Sequence, residues 1–134
     1  MQKYVLPIRI YYEDTDAGGI VYHASYLRFM ERARTDFLRE YGHERRMLAE
    51  QFGVQFVVSE LSIKYLKPAL LDDLVEATAA IESLSYAGAI FQQTVERNGE
   101  ILAKATAKAV CITCDGLKPA AIPQSLREKL KGLL

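Results

Sequence analysis

The chain lacks net charge: 17 basic residues balance 17 acidic ones. No global field therefore draws it to nucleic acid or to an anionic membrane surface. It also lacks any run approaching the roughly 18 uninterrupted apolar residues of a membrane-spanning helix. Its first residues, Met-Gln-Lys-Tyr-Val-Leu-Pro-Ile-Arg, contain no long apolar stretch of the kind a secretory leader needs, and read as the opening of a strand. The expectation is a cytoplasmic protein with no integral membrane segment and no nucleic-acid partner. Cysteine and histidine are scarce, two of each. They stand in unrelated places, so no metal site is expected. Both cysteines fall in Cys111-Ile-Thr-Cys114, inside an alternating run. Strand positions three apart point to opposite faces, so two reduced thiols are expected rather than a redox pair. There is no Gly-x-Ser-x-Gly turn, which leaves a serine hydrolase without its nucleophile. Asp14-x-Asp16-x-Gly18 begins like a calcium loop, but its twelfth position is Ser25 instead of glutamate.

What is present describes an ordinary globular domain. At 134 residues the chain is expected to form one domain, 1–134, with a core that needs no staples. Residues 4–12 are rich in β-formers, and Pro7 predicts an edge strand. From Ser25 to Tyr41 the period changes. Tyr26, Met30, Ala33, Phe37 and Tyr41 recur at helical spacing among Arg28, Glu31, Arg32, Arg34, Asp36 and Arg39. Gly42 is placed to stop that helix, and a short second helix is expected at 44–52. Beyond Gly53 the pattern predicts strands at about 54–67, 73–85, 88–97 and 101–114, with Arg97-Asn98-Gly99-Glu100 as a type I′ hairpin. In the last strand Ile101, Ala103, Ala105, Ala107, Ala109 and Cys111 share one face, while Lys104, Thr106 and Lys108 share the other. The alanine row predicts close packing of the helix there, and the lysine face is expected to be solvated. Pro119 and Pro123 precede a terminal helix at 124–132. The sum is an α+β domain: a strand, a long helix, then four antiparallel strands. Strands of this length, roughly 45 Å if straight, require strong twist and curvature to wrap a helix. The uncovered sheet edge of such a layer points to oligomerisation.

Chemistry is concentrated in residues 11–26, Tyr-Tyr-Glu-Asp-Thr-Asp-Ala-Gly-Gly-Ile-Val-Tyr-His-Ala-Ser-Tyr. Gly18-Gly19 permits a sharp turn and a close approach to a ligand. The helix that follows points free N–H groups and its positive dipole end back toward that turn. A carboxylate facing such a helix start makes a reaction centre, because one group attacks while the other stabilises an oxyanion. On residue type alone, Asp14 reads as a turn or capping residue and Glu13 as solvated or arginine-paired. His43 reads as a surface residue. Glu31 is placed either to enter the site or to pair with Arg28 or Arg34.

The same stretch, with Glu31-Arg-Ala-Arg-Thr35 in the helix and a weaker echo in Leu117-Lys-Pro119 and Ile122-Pro123, closely resembles the hotdog-fold acyl-CoA thioesterases of the 4-hydroxybenzoyl-CoA thioesterase type. Within them it looks most like the subgroup associated with the bacterial Tol-Pal envelope system. The resemblance covers nearly the whole chain. It implies a hotdog fold, a long central helix wrapped by a curved antiparallel sheet of about five strands. It further implies acyl-CoA as substrate, no cofactor, and a homo-oligomer, dimer or tetramer, with its active sites at a dimer interface. An envelope or acyl-carrier-protein partner is a further expectation. Carried over position by position, the resemblance makes Asp16 the catalytic carboxylate and the His23 backbone N–H the donor to the thioester carbonyl. The side chains of Tyr12 and His23 match residues that line and orient the site. Basic residues for the nucleotide do not map, although Lys64, Lys67 and the helix arginines are available. Tyr26, Phe29, Phe56, Tyr65 and Tyr86 are candidates for an acyl pocket or for plain core.

Thioester chemistry suits such a residue set. A thiolate whose conjugate acid has a pKa near ~8.5 leaves at neutral pH with little or no protonation. The site then needs only an oxyanion donor, typically worth about 3 kcal/mol, and a nucleophile or base. Asp16 serves either by attacking to form a mixed anhydride or by activating water. Two rival readings remain: an enoyl-thioester hydratase on the same fold using Asp16 and His23 as base and acid, and a non-catalytic acyl-binding module at the envelope machinery.

Overall fold

Pro7 is tolerated in the middle of β1 (Tyr4–Arg9) because that strand has a neighbour on one side only, where Pro7 stands opposite Glu76. In the computed structural model, which describes residues 1–134, a 3-10 turn (Tyr12–Asp14) and a 17-residue helix α1 (Ser25–Tyr41) follow. A single turn α2 (Arg45–Met47) widens into a π-helical turn (Leu48–Phe52). Strands β2 (Val54–Tyr65), β3 (Leu74–Leu84), β4 (Gly88–Arg97) and β5 (Glu100–Thr113) come next, and helix α3 (Gln124–Lys131) closes the chain. The strand expected at 4–12 stops at Arg9. The Asp14 carboxylate accepts from the Tyr11 N–H at 2.9 Å and winds the intervening residues into a turn.

All five strands form one antiparallel sheet in the order β1-β3-β4-β5-β2. β1 and β2 occupy opposite edges, so the connection through α1 crosses the whole sheet. Asn98 and Gly99 take φ of 51° and 80°, the left-handed pair that a two-residue type I′ hairpin requires. Register shifts between Val58 and Glu60, Ile81 and Ser83, and Val95 and Glu96 mark bulges that bend strands and increase twist. They supply the curvature with which the sheet wraps α1. This α+β arrangement of one helix in a curved five-stranded sheet is the hotdog fold.

α1 turns Tyr26, Phe29, Met30, Ala33, Phe37 and Leu38 into the core, and Phe37 meets Phe91 of β4 edge to face with centroids 5.6 Å apart. Two expectations are corrected. α1 packs chiefly against β3, β1 and β4, so the small residues beneath it are Ala77 and Ala79 of β3 rather than the row on β5. The reason is topological: α1 lies over the β1, β3 and β4 side of the sheet, and β5 stands beyond β4. Ile101 is half-exposed, and Leu102 is buried in its stead, because the bulge between Val95 and Glu96 breaks the alternation one residue before Ala103. From Ala103 to Cys111 the predicted alternation holds, with Lys104, Thr106 and Lys108 exposed. Cys111 and Cys114 are free thiols, one buried and one exposed, and burial pushes the Cys111 thiol up to about 11.

One polar link runs through the core. Arg34, only 5% exposed, donates from Nη1 to Gln93 Oε1 at 2.7 Å. Gln93 is fixed in turn by donating to the Met30 carbonyl at 2.9 Å and the Thr78 carbonyl at 3.1 Å, which ties helix to sheet. Burial, then the charge of Arg45, push the Arg34 guanidinium below its ordinary value, with Glu31 opposing. His43 lies at the surface as expected, partly covered where it stacks on Phe52 at 6.0 Å and shares a 2.9 Å hydrogen bond with Ser125 of α3, because α3 returns across the end of α1.

Candidate active site

Glycine and aspartate shape the loop between β1 and α1. The Asp16 N–H donates to the Ile20 carbonyl at 2.9 Å, and the Gly19 N–H returns to the Asp16 carbonyl at 3.1 Å. The side chain joins in, Oδ1 accepting from the Gly18 N–H at 2.8 Å. Gly19 takes φ of +81°, a conformation that side-chain-bearing residues rarely hold. A methyl group on Gly18 would stand 3.2 Å from Asp16 Oδ1, so glycine here leaves the carboxylate where the turn puts it. One carboxylate oxygen is thereby pinned to the backbone while the residue stays exposed.

Asp14 plays the structural part expected of it. It is 7% exposed, and its carbonyl accepts both the Tyr22 N–H at 2.8 Å and the Ser25 hydroxyl at 3.1 Å. These bonds fasten the loop to the first turn of α1. No side chain caps that helix start, and neither the His23 nor the Ala24 amide donates to a protein acceptor. Both N–H groups therefore remain available, at the end of the helix where its dipole favours negative charge.

The opposite wall comes from the connection between β2 and β3. The Val21 N–H donates to the Ala69 carbonyl at 2.9 Å, and Ile20 bridges to Leu70. Tyr26 Oη accepts from the Ala69 N–H at 2.9 Å, and the Tyr65 hydroxyl donates to the His23 carbonyl at 2.8 Å. An ionic brace holds the connection from behind. Arg97 meets Asp73 at 2.6 Å and Glu100 at 3.3 Å, Lys67 meets Glu100 at 2.6 Å, and Asp73 also accepts from the Leu70 N–H at 2.9 Å. Burial raises the Asp73 carboxyl, yet the Leu70 N–H and Arg97 together hold it below its ordinary value. Lys67, then Arg97, lower Glu100.

Between the two walls lies a cleft of about 370 Å³ lined by Asp16, Ile20, Val21, His23, Tyr26, Tyr65, Leu66, Lys67 and Pro68. Asp16 and His23, singled out by sequence, thus face one volume beside the start of α1. Tyr12 does not join them within one chain. It is 82% exposed and borders a separate hollow with Arg9, Tyr11 and Leu71. Glu31 lies in a wider polar groove between β1 and α1, together with Glu13 and Asp14. Of the aromatic candidates, Tyr26 and Tyr65 line the cleft, Phe29 is core, Phe56 borders a narrow void beneath Arg34, and Tyr86 is exposed elsewhere. Burial raises the Tyr26 and Tyr65 phenols, so both are neutral at pH 7. What sequence reasoning missed is the bond from Tyr65 to His23, which joins residues 42 positions apart.

The cleft is therefore lined by a carboxylate residue and by His23, whose amide has no protein acceptor, flanked by aromatic and aliphatic side chains. It is a place where an acyl carbonyl can be attacked while its oxygen is held. Residues 11–130 match the thioesterase-like superfamily. The acyl-CoA thioesterase YbgC of Haemophilus influenzae is 44% identical over 121 residues, covering 90% of this chain and 89% of that protein. The long-chain acyl-CoA thioesterase FadM of Escherichia coli is 35% identical over 116 residues, covering 85% and 86%. Among solved structures, a probable thioesterase from Bartonella henselae superposes with a TM-score of 0.87 at 33% identity, over 91% of this chain and 100% of that one. With the family match spanning the loop, α1 and strands β2 to β5, the chain belongs to the thioesterase-like superfamily.

Proposed function

We propose that this chain hydrolyses acyl-CoA thioesters to the free acid and CoA, with Asp16 as nucleophile or general base and the His23 N–H as oxyanion donor. The observation that carries the reading is the shared cleft: Asp16 and His23 line the same volume at the opening of α1. The acyl-CoA substrates named for the Haemophilus influenzae and Escherichia coli relatives supply the substrate class. In either route the thiolate departs without a strong acid, and negative charge collects on the carbonyl oxygen, where amide donors at a helix start stabilise it. The His23 imidazole lines the cleft beside the reacting group and orients it.

The same reading includes a homo-oligomer, dimer or tetramer. β2 presents 12 residues at a sheet edge with Val57 and Val58 exposed, and an open strand edge of that length is a template for a second copy. Tyr12, exposed on one chain, takes its place in the site within that assembly. A cytoplasmic location is the expectation from the chain's hydropathy pattern, and the sequence resemblance adds a link to the Tol-Pal envelope system, with an envelope or acyl-carrier-protein partner.

A substrate panel on the purified protein tests this: acyl-CoAs from acetyl to palmitoyl, an aromatic acyl-CoA, an acyl-carrier-protein thioester and crotonyl-CoA. Release of free thiol from at least one saturated or aromatic acyl-CoA is the expected result. Loss of enoyl absorbance without thiol assigns a hydratase instead. Binding with no thiol release across the panel assigns a non-catalytic acyl-binding module.

A further inference from the structure

We infer that Tyr65 is a positioning residue, whose hydroxyl anchors His23 at its carbonyl so that the His23 N–H keeps facing the cleft; this rests on the hydrolytic reading above. Two successive peptide groups matter here. The carbonyl of Tyr22 accepts from the Ser25 N–H at 2.8 Å, and the carbonyl of His23 accepts from the Tyr65 hydroxyl at 2.8 Å. The N–H ends of those same two peptides belong to His23 and Ala24, and both lack a protein acceptor. Each peptide is thus fastened at its oxygen and left open at its nitrogen. A planar peptide held at the oxygen has its N–H direction fixed as well. A hydrogen bond to the carbonyl also polarises the group and strengthens its donor end.

The Ser25 bond is internal to the first turn of α1. The Tyr65 bond is not, because it reaches from the end of β2. It is the single tie that sets the second peptide relative to the sheet. A phenol is well suited to hold it. Burial, with Tyr26 beside it, raises the Tyr65 hydroxyl, so it keeps its proton throughout the neutral range. Its ring is braced edge-on against Tyr26 at 5.4 Å and against His23 at 6.3 Å. Phenylalanine keeps that ring and removes only the donor. The freed His23 carbonyl then takes water, and His23, no longer anchored on that side, gains freedom to carry its N–H away from the developing oxyanion.

Tyr65→Phe is expected to lower kcat for the best acyl-CoA about tenfold, with KM changed less than about twofold, because the aligned His23 N–H acts mainly in the transition state. Its melting temperature is expected to match the parent's. Parallel assay of Asp16→Asn separates the two claims. If Asp16→Asn is inactive while Tyr65→Phe retains full kcat, the positioning role is overturned and the hydrolytic reading stands. If Tyr65→Phe instead raises KM at unchanged kcat, or melts early, the hydroxyl serves binding or stability and the inference is likewise overturned. Full activity of Asp16→Asn removes the reading and the inference together.

Discussion

Asp16→Asn is expected to lower kcat/KM for acyl-CoA hydrolysis by about a thousandfold, in the range by which general bases and nucleophiles contribute, while the protein melts as the parent does. The substitution is unusually clean at this position. Asp16 accepts the Gly18 N–H through Oδ1 at 2.8 Å, and an asparagine carbonyl oxygen accepts the same bond. The turn through Gly18 and Gly19, and with it the position of the side chain, survives. Only the charge is lost, and with it the capacity to attack a carbonyl or take a proton from water. Asp16→Ala removes the acceptor as well, so it is expected to be equally inactive and to melt earlier. Thiol-release kinetics beside thermal melts of the three proteins check both halves. An asparagine variant within a few-fold of parent activity would place the chemistry on another residue.

The largest stability effect is expected away from the cleft. Gln93→Leu should cost about 3 kcal/mol, because a buried hydrogen bond to a charged group is worth roughly 1.5–3 kcal/mol and its loss strands the partner. Gln93 satisfies three groups at once: the Arg34 guanidinium, the Met30 carbonyl and the Thr78 carbonyl. Leucine fills the space but accepts nothing, and Arg34 is left buried with its charge unanswered. Adding Arg34→Met removes the stranded group, so the double variant is expected to regain more than half of the loss. Denaturant titrations of the parent, both single variants and the double variant form a cycle that reads the coupling directly. Simple additivity would contradict a direct link between the two side chains.

Much of the scaffold was legible because it follows from local periodicity. The 3.6-residue repeat and Gly42 mark α1 as Ser25–Tyr41, the bounds it has, and Asn98-Gly99 marks the hairpin. What was not legible depends on partners distant in sequence. Ile101 is displaced by a bulge that exists only when β5 is laid against β4. The alanines beneath α1 are those of β3 because of a strand order that no single strand encodes. The early end of β1 is different, a local competition in which an aspartate side chain offers the Tyr11 amide an alternative to the ladder. The site divides in the same way. Asp16 and His23 lie seven residues apart in one motif, so their common cleft follows from a single loop and the helix it enters. Tyr65 and Lys67 stand out in sequence only by residue type; their place opposite Asp16 depends on the β2–β3 connection and on a brace that draws in Arg97 and Glu100 of the β4–β5 hairpin.

The most direct measurement is a crystal structure with an acyl-CoA analogue in which a methylene group replaces the thioester sulfur. The ketone oxygen is expected about 3 Å from the His23 N–H, with the carbonyl carbon within about 3.5 Å of an Asp16 carboxylate oxygen or of a water bound to it. A carbonyl bound elsewhere, for instance in the groove beside Glu13 and Glu31, with Asp16 left facing solvent, would contradict it.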